Sequence, residues 1–343
     1  MRNPIFWISN GSRLDGAGRI FPTPCGSQMI PVYQDQVSEQ DRLKRIKPRL
    51  RTRMRMVQSI REFFIHRGYL EVETPQLISA PAPEPHIDAV PAGSRFLHTS
   101  PELHMKRLLA SDYTRIFQIG KCFRQGERGD LHLPEFSLLE WYRAGVGYHG
   151  LMEECEELIL WVCEQLGTGE KIHYQGKDIP LTSPWERISV EEAFGSYASM
   201  PMELAVKRGE FDQILIKDIE PQLGMAGPTF LYDYPASCAA LARLRPDNPL
   251  LAERFELYLG GIELANGFSE LTDASEQRAR FERDQAHRRR LGKPVYPTPE
   301  AFLLSLQHMP DAAGIALGVD RLAMILTDSA RIDDVVTFAP EAG

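Results

Sequence analysis

The stretch "GIELANGFSELTDA", residues 261–274, sets Glu263, Glu270 and Asp273 among Ile262, Leu264, Ala265 and Phe268. Carboxylates seldom sit among apolar neighbours unless a cation, metal or charged partner answers them. Glu256 lies just upstream in "FELYL", and Glu102 stands in "TSPELH". Two arginines occupy element ends: Arg124 follows "KCF" and Arg321 follows "LGVD". Zinc chemistry is not expected, because the nine histidines show neither H-x-x-x-H nor H-E-x-x-H spacing. The five cysteines form no C-x-x-C pair, which fits a reducing cytoplasm rather than a disulfide framework.

Strands and helices must hold these groups. "RTRMRMVQSIREFFIHRG" predicts a helix with Val57, Ile60 and Phe64 on one face, closed by Gly68. Phe63, Phe64, Met54 and Met56 together exceed what one helix face hides, so this unit is expected to expose apolar surface. "YLEVETP" alternates like a strand up to Pro75. "FLHTSPELHMKRLLASD" reads as strand, turn and helix, with Ser100 as cap and Pro101 in the first turn. "RIFQIGKCFRQGE" and "PEFSLLEWYRA" are strand-like runs joined by a polar loop, and "YHGLMEECEELILWVCEQLG" is an amphipathic helix. "ERFELYLGGIELANGFSEL" reads as strand, glycine break and strand, "DASEQRARFERDQAHRRRLG" as a polar helix, and "GIALGVDRLAMILTD" as a strand turning into a helix at Gly318. Residues 167–250 alternate short elements with prolines and suggest no chemistry. Hairpin-joined strands with helices in blocks predict α+β with an antiparallel β-sheet flanked by helices, not a doubly wound parallel fold.

Residues 1–45, rich in Gly, Pro, Ser and Asn at the start, read as an extension that is partly disordered or draped, ahead of one domain over 46–343. No apolar run reaches membrane-spanning length. The net charge of −8 weighs against a broad nucleic-acid surface. Arg288–Arg290 reads first as a solvated helix face.

These segments, in order, resemble the three motifs of the class II aminoacyl-tRNA synthetase catalytic core in its lysine branch. "FFIHRGYLEVETP" resembles motif 1, "FRQGERGDLHLPEFSLLEWY" motif 2 and "GIALGVDR" motif 3, while "FELYLGGIELANGFSEL" resembles the metal and substrate strands. The likeness spans roughly residues 45–340. Lysyl-tRNA synthetases carry an anticodon-binding barrel ahead of motif 1, and the short stretch here does not look like one. The arrangement therefore resembles the elongation factor P lysyltransferase family, which activates lysine or (R)-β-lysine with ATP and transfers it to a lysine side chain of elongation factor P.

The resemblance implies a role for each residue. Arg124 and Arg321 would meet the α- and γ-phosphates, with Gln125, Gly126, Glu127, Leu133, Leu264 and Gly318 around the nucleotide. Glu256 and Glu263 would bridge Mg²⁺, which commonly takes one or two carboxylates plus phosphate oxygens. Glu270 with Tyr142 would meet the lysine side-chain amine, and Glu102, with Ser100 and Pro101, the other amino group. A diamino acid has two cationic ends, so carboxylates at both select it over neutral amino acids.

Three positions depart from the pattern. Motif 2 commonly runs F-R-x-E, but Gly126 stands two after Arg124, so that carboxylate contact is lost, moved to Glu127 or replaced by backbone. Leu133 stands where relatives often have asparagine. Ala316 occupies a site that is glycine in tRNA synthetases and alanine in the modification enzymes. The expectation is an ATP-dependent ligase in the cytoplasm, a homodimer through residues 50–75, with elongation factor P favoured over tRNA as acceptor. A minimal lysyl-tRNA synthetase and an inactive synthetase-like binding module are the competing readings.

Overall fold

The computed structural model describes residues 39–340. Leu43–Gly343 form one compact unit, and the extension expected over 1–45 falls almost wholly outside the described residues.

Eight strands make the main sheet: β1 (Leu70–Glu71), β2 (Arg115–Phe123), β3 (Glu135–Ala144), β4 (Glu186–Ser189), β5 (Thr229–Pro235), β6 (Leu251–Leu259), β7 (Ile262–Ser269) and β8 (Ala312–Gly318). Across the sheet they run β1-β2-β3-β8-β7-β6-β5-β4. The six inner strands pair antiparallel. Both edge strands, β1 and β4, pair parallel to their neighbours. The expected α+β fold is present, with an antiparallel centre and two parallel margins. The strand expected over "YLEVETP" shrinks to the two residues of β1, after which Val72 N still donates to Phe117 O at 2.9 Å and Thr74 N to the Gln118 side chain.

One face of the sheet carries the main core. Alternation along β3 and β8 sends Leu139, Trp141, Ala313, Ile315 and Leu317 to this face. Two helices cover it. In Tyr148–Leu166 the residues Leu151, Cys155, Leu158, Ile159 and Val162 recur at helical spacing and are all fully buried. Gly167 ends this helix in the left-handed region at φ 72°, which a side chain would resist. From Glu39–His66, Ile60, Phe63 and Phe64 enter the same core. The Phe64 ring stacks on Phe117 at 4.8 Å and lies 5.2 Å from Trp141.

That packing corrects the expected exposure of the first helix. Phe63, Phe64 and Met56 are each fully buried, whereas Met54 is 54% exposed. A second helix and the sheet cover two faces of this helix, which a single-helix count of apolar residues cannot anticipate. Burying each such side chain contributes about 1.5–3 kcal/mol, so these residues belong to the fold's stability.

Residues 190–223 form a smaller helical group whose Phe194 and Phe211 rings stack at 5.2 Å over Leu231, Tyr234 and Tyr258. No helix among the described residues is long and apolar enough to cross a membrane.

Candidate active site

The opposite face of the sheet is polar, and strand register assembles it. Gln118 of β2, Glu140 of β3, Ala316 of β8, Asn266 of β7 and Glu256 of β6 are successive cross-strand partners in one row. The row beside it holds Tyr142, Gly314, Phe268 and Arg254. Residues two apart on a strand share a face, so both rows, except for Gln118 at the margin, open into one cavity of about 620 Å³. Ser100, Glu102, Arg124, Glu127, Leu133, Glu263, Leu264, Gly318 and Arg321 also line it. Pro101, Gln125 and Gly126 do not line it.

At one end three carboxylates meet around a single ammonium. Lys106 is 1% exposed, and its Nζ lies 2.5 Å from Glu102 Oε1 and 2.5 Å from Glu270 Oε2. Glu140 accepts from Ser100 Oγ at 2.6 Å and from Tyr142 OH at 2.8 Å. Ser100 Oγ also accepts from Glu102 N at 3.0 Å, but the N-cap of the helix Glu102–Leu109 is Pro101 and not the expected Ser100, and it carries no side-chain cap. Burial, with Glu102 adding to it, pushes the Glu140 carboxyl up to about 7. Burial also raises Glu270, to about 8, with Glu102 and Glu140 outweighing part of the relief from Lys106. Burial by itself would lower Lys106, but Glu102 and Glu270 hold it above its ordinary value. Lys106 therefore stays charged, while the carboxylates around it are under-compensated.

Glu270 sits behind Gly314 and Tyr142 rather than in the open cavity wall. A Cβ on Gly314 would fall 2.2 Å from Tyr142 Cε1 and 2.5 Å from Glu270 Oε1, distances no side chain tolerates. Only glycine lets the two polar groups close over this strand. Glu270 Oε1 is buried and has no hydrogen-bond partner, an acceptor aimed at something else.

Arg124 and Arg321 also line the cavity. Arg124 follows β2, where its N donates to Pro134 O at 2.9 Å, and its guanidinium lies 4.9 Å over the Phe136 ring. Arg321 opens the helix Val319–Leu326. Its Nη1 reaches Glu263 O at 2.7 Å and Glu263 Oε2 at 3.2 Å, and its Nη2 reaches His132 Nε2 at 2.7 Å. Burial and Arg321 lower His132, so its Nε2 accepts as a neutral imidazole. Gly126 lies in the left-handed region at φ 79°, while Glu127 lines the cavity 3.8 Å from Arg124. Glu127 is thus one acidic group near Arg124 in this wall, one residue beyond Gly126.

Glu256 accepts from Tyr234 OH, Tyr258 OH and Arg254 Nη2, each at 2.6 Å. Burial raises its carboxyl, and the nearby charge of Glu263 adds to that. Glu220 is pushed up to about 7 by burial and by the same two carboxylates. Negative groups that repel one another here suit a divalent cation. No group of three or more His, Cys, Asp or Glu side chains placed to hold a metal ion occurs among the described residues.

Several of these groups escaped the sequence reading. Lys106 lies one helical turn from Glu102 and Glu140 two residues before Tyr142, so both periodicities pointed to them. His132, Asn266 and Glu220 gave no such signal. Arg288–Arg290 is corrected in part: Arg289 and Arg290 are exposed, but Arg288 is fully buried.

Comparison with known proteins agrees with this geometry. Residues 33–342 match the family described as tRNA synthetases class II (D, K and N). A Proteus mirabilis protein named elongation factor P--(R)-beta-lysine ligase is 42% identical over 83% of this chain and 92% of its own. Proteins of the same name from Haemophilus influenzae (41%; 84% and 93%) and Vibrio cholerae (39%; 84% and 94%) align over nearly the same span. The chain belongs to the class II tRNA synthetase family, in the branch of the elongation factor P ligases.

Proposed function

We propose that the protein activates lysine or (R)-β-lysine with ATP and Mg²⁺ and joins it to a lysine side chain of elongation factor P, in the cytoplasm and as a homodimer. The observation that carries the substrate is the charge count beside Lys106. Three buried carboxyl groups, Glu102, Glu140 and Glu270, share the single Lys106 ammonium, and the two that burial raises to about 7 and about 8 need a further cation nearby to ionise fully. A diamino acid brings two ammonium groups. A neutral amino acid would leave at least one buried carboxylate without a partner, a penalty of about 1–3 kcal/mol or more.

The amino acid's own carboxylate is the nucleophile on the α-phosphate, so the chain must position it and neutralise charge. Tyr142, Glu270 and Glu102 fix the amines at one end of the cavity. Arg124 and Arg321 face the phosphates at the other, and binding nucleotide would draw Arg321 from Glu263. Glu256 and Glu263 would hold Mg²⁺, whose charge offsets that of the phosphate oxygens. Glu127 stands ready for the adenine amine that motif 2 usually meets with the residue two after its arginine. The dimer is expected through residues 50–75, where Met54, Ile65 and Leu70 are 54%, 58% and 52% exposed.

The test supplies ATP, Mg²⁺ and either amino acid, with elongation factor P or tRNA as acceptor, and follows the product's mass. Elongation factor P is expected to gain one amino acid. Efficient charging of tRNA with no mass gain on elongation factor P would replace this reading with that of a minimal synthetase.

A further inference from the structure

Glu84, His86 and Ile87 bring one loop to the wall of the cavity, next to Arg124 and Glu102. The loop is held from behind. Arg288 Nη1 donates to Glu84 O at 2.7 Å and Ile87 O at 2.9 Å, and its Nη2 to Asp88 Oδ1 at 2.7 Å. Lys293 Nζ donates to Pro85 O at 3.0 Å and pairs with Asp88 at 3.0 Å. Two cations thus bind the loop's backbone and Asp88, and leave the Glu84 side chain to the cavity.

Every other acidic side chain lining the cavity is tied. Glu102 is bound to Lys106, Glu127 to Arg124, Glu140 to Ser100 and Tyr142, Glu256 to Arg254 and two tyrosines, Glu263 to Arg321 and Asp320 to Arg53. The Glu84 carboxylate has no hydrogen bond or ion pair among the described residues. Burial pushes it up to about 7, with Arg124 and Arg254 lowering it and Glu102 and Asp284 raising it.

The transfer half of the reaction has a need that activation lacks. An acceptor lysine is an ammonium with an ordinary pKa of about 10.4, so only about one in 2,500 is neutral at pH 7. We propose that Glu84 is the base that takes the proton from the attacking amine, and that Arg288 positions it by anchoring its loop. This rests on the reading of the protein as a ligase whose acceptor is an amine. The Glu84 carboxylate takes one proton from the ammonium, and the freed nitrogen lone pair forms the bond to the adenylate carbonyl carbon. The bond from that carbon to the phosphate oxygen breaks with its electron pair on AMP. The second nitrogen proton goes to the departing phosphate, leaving a neutral amide and a protonated Glu84.

The experiment compares wild type with Glu84→Gln in three assays: lysine-dependent ATP–pyrophosphate exchange, trapping of the adenylate by hydroxylamine, and single-turnover transfer from pH 7 to pH 9.5. Transfer is measured to elongation factor P and, separately, to Nα-acetyl-lysine amide as a bare amine. Exchange and hydroxamate formation are expected within about two-fold of wild type, because hydroxylamine is already neutral. Transfer at pH 7 is expected to fall about 100-fold, the usual worth of a general base, and to recover as the amine deprotonates by itself at high pH. A deficit that stays constant with pH would assign Glu84 to docking, and a loss of exchange would assign it to activation. Either result, or unchanged transfer, overturns the proposal. A wild type that modifies the bare amine but not elongation factor P would overturn the acceptor reading alone, with Glu84 still judged on the bare amine.

Discussion

Replacing Glu270 by glutamine should make the protein more stable and nearly useless for lysine. The carboxyl is raised from the ordinary 4.5 to about 8 by burial, so the folded state resists its ionisation. Between those values the native chain holds the proton more tightly than the unfolded chain, and stability therefore falls as pH rises. Each pH unit across that window costs about 1.4 kcal/mol, which makes the penalty about 1 kcal/mol at pH 5.5 and about 4 kcal/mol at pH 8. Glutamine has no proton to lose, so Glu270→Gln should recover that difference, less whatever attraction Lys106 gives up. The assay is urea unfolding of both proteins at the two pH values. The variant's advantage is expected to grow by about 3 kcal/mol from pH 5.5 to pH 8. Lysine-dependent pyrophosphate exchange should meanwhile lose about 2–5 kcal/mol in kcat/KM, the range for stripping one partner from a buried charge pair. A variant less stable at both pH values, with its KM for lysine unchanged, would show that Glu270 is a structural ion-pair partner of Lys106 and not a group kept under strain for a ligand.

Other perturbations read other parts of the site. Gly314→Ala forces a methyl against Tyr142 and Glu270, and overpacking of this kind costs about 1–3 kcal/mol; thermal unfolding and the KM for lysine should both worsen. Glu263→Gln should abolish most adenylate formation without moving the urea midpoint, since the residue's partner in the free protein is the part-exposed Arg321; unchanged pyrophosphate exchange would remove Glu263 from the metal pair. Arg288→Met strands the carbonyls of Glu84 and Ile87 and the Asp88 carboxylate, so a loss of about 3–5 kcal/mol in urea unfolding is expected.

Legibility in the sequence depends on how far apart along the chain the interacting residues lie. The strands bearing Glu256, Glu263 and Tyr142 have strong local signals, and the hairpin at Gly260 and Gly261 declares itself. The cross-strand row joining Glu140, Ala316, Asn266 and Glu256 is invisible locally, because it depends on pairing residues up to 140 from residues beyond 250. Arg288 was misjudged for a related reason. Its neighbours Arg289 and Arg290 are solvated, and helical spacing alone cannot reveal that a loop 200 residues upstream arrives to receive its guanidinium. Phe63 and Phe64 were misjudged in the opposite direction, since their covering helix lies about 90 residues further on.

The same distance in sequence explains why charge is handled as it is at the substrate end. Glu102 and Lys106 come from one helix, Glu140 and Tyr142 from β3, and Glu270 from the residue after β7. Had a second lysine been supplied from within the chain, the carboxylates would be matched and the cavity would have little reason to prefer a dication. With only Lys106 present, the fold carries a charge deficit that no internal partner among the described residues relieves, and its rigid β-sheet keeps the acids from moving apart to relieve it. The substrate's ammonium groups are then the readiest remedy. Under the proposed function, selectivity for a diamino acid would follow from an imbalance that folding itself has to overcome, which is why removing Glu270 is expected to help the fold at the same stroke that it disables the site.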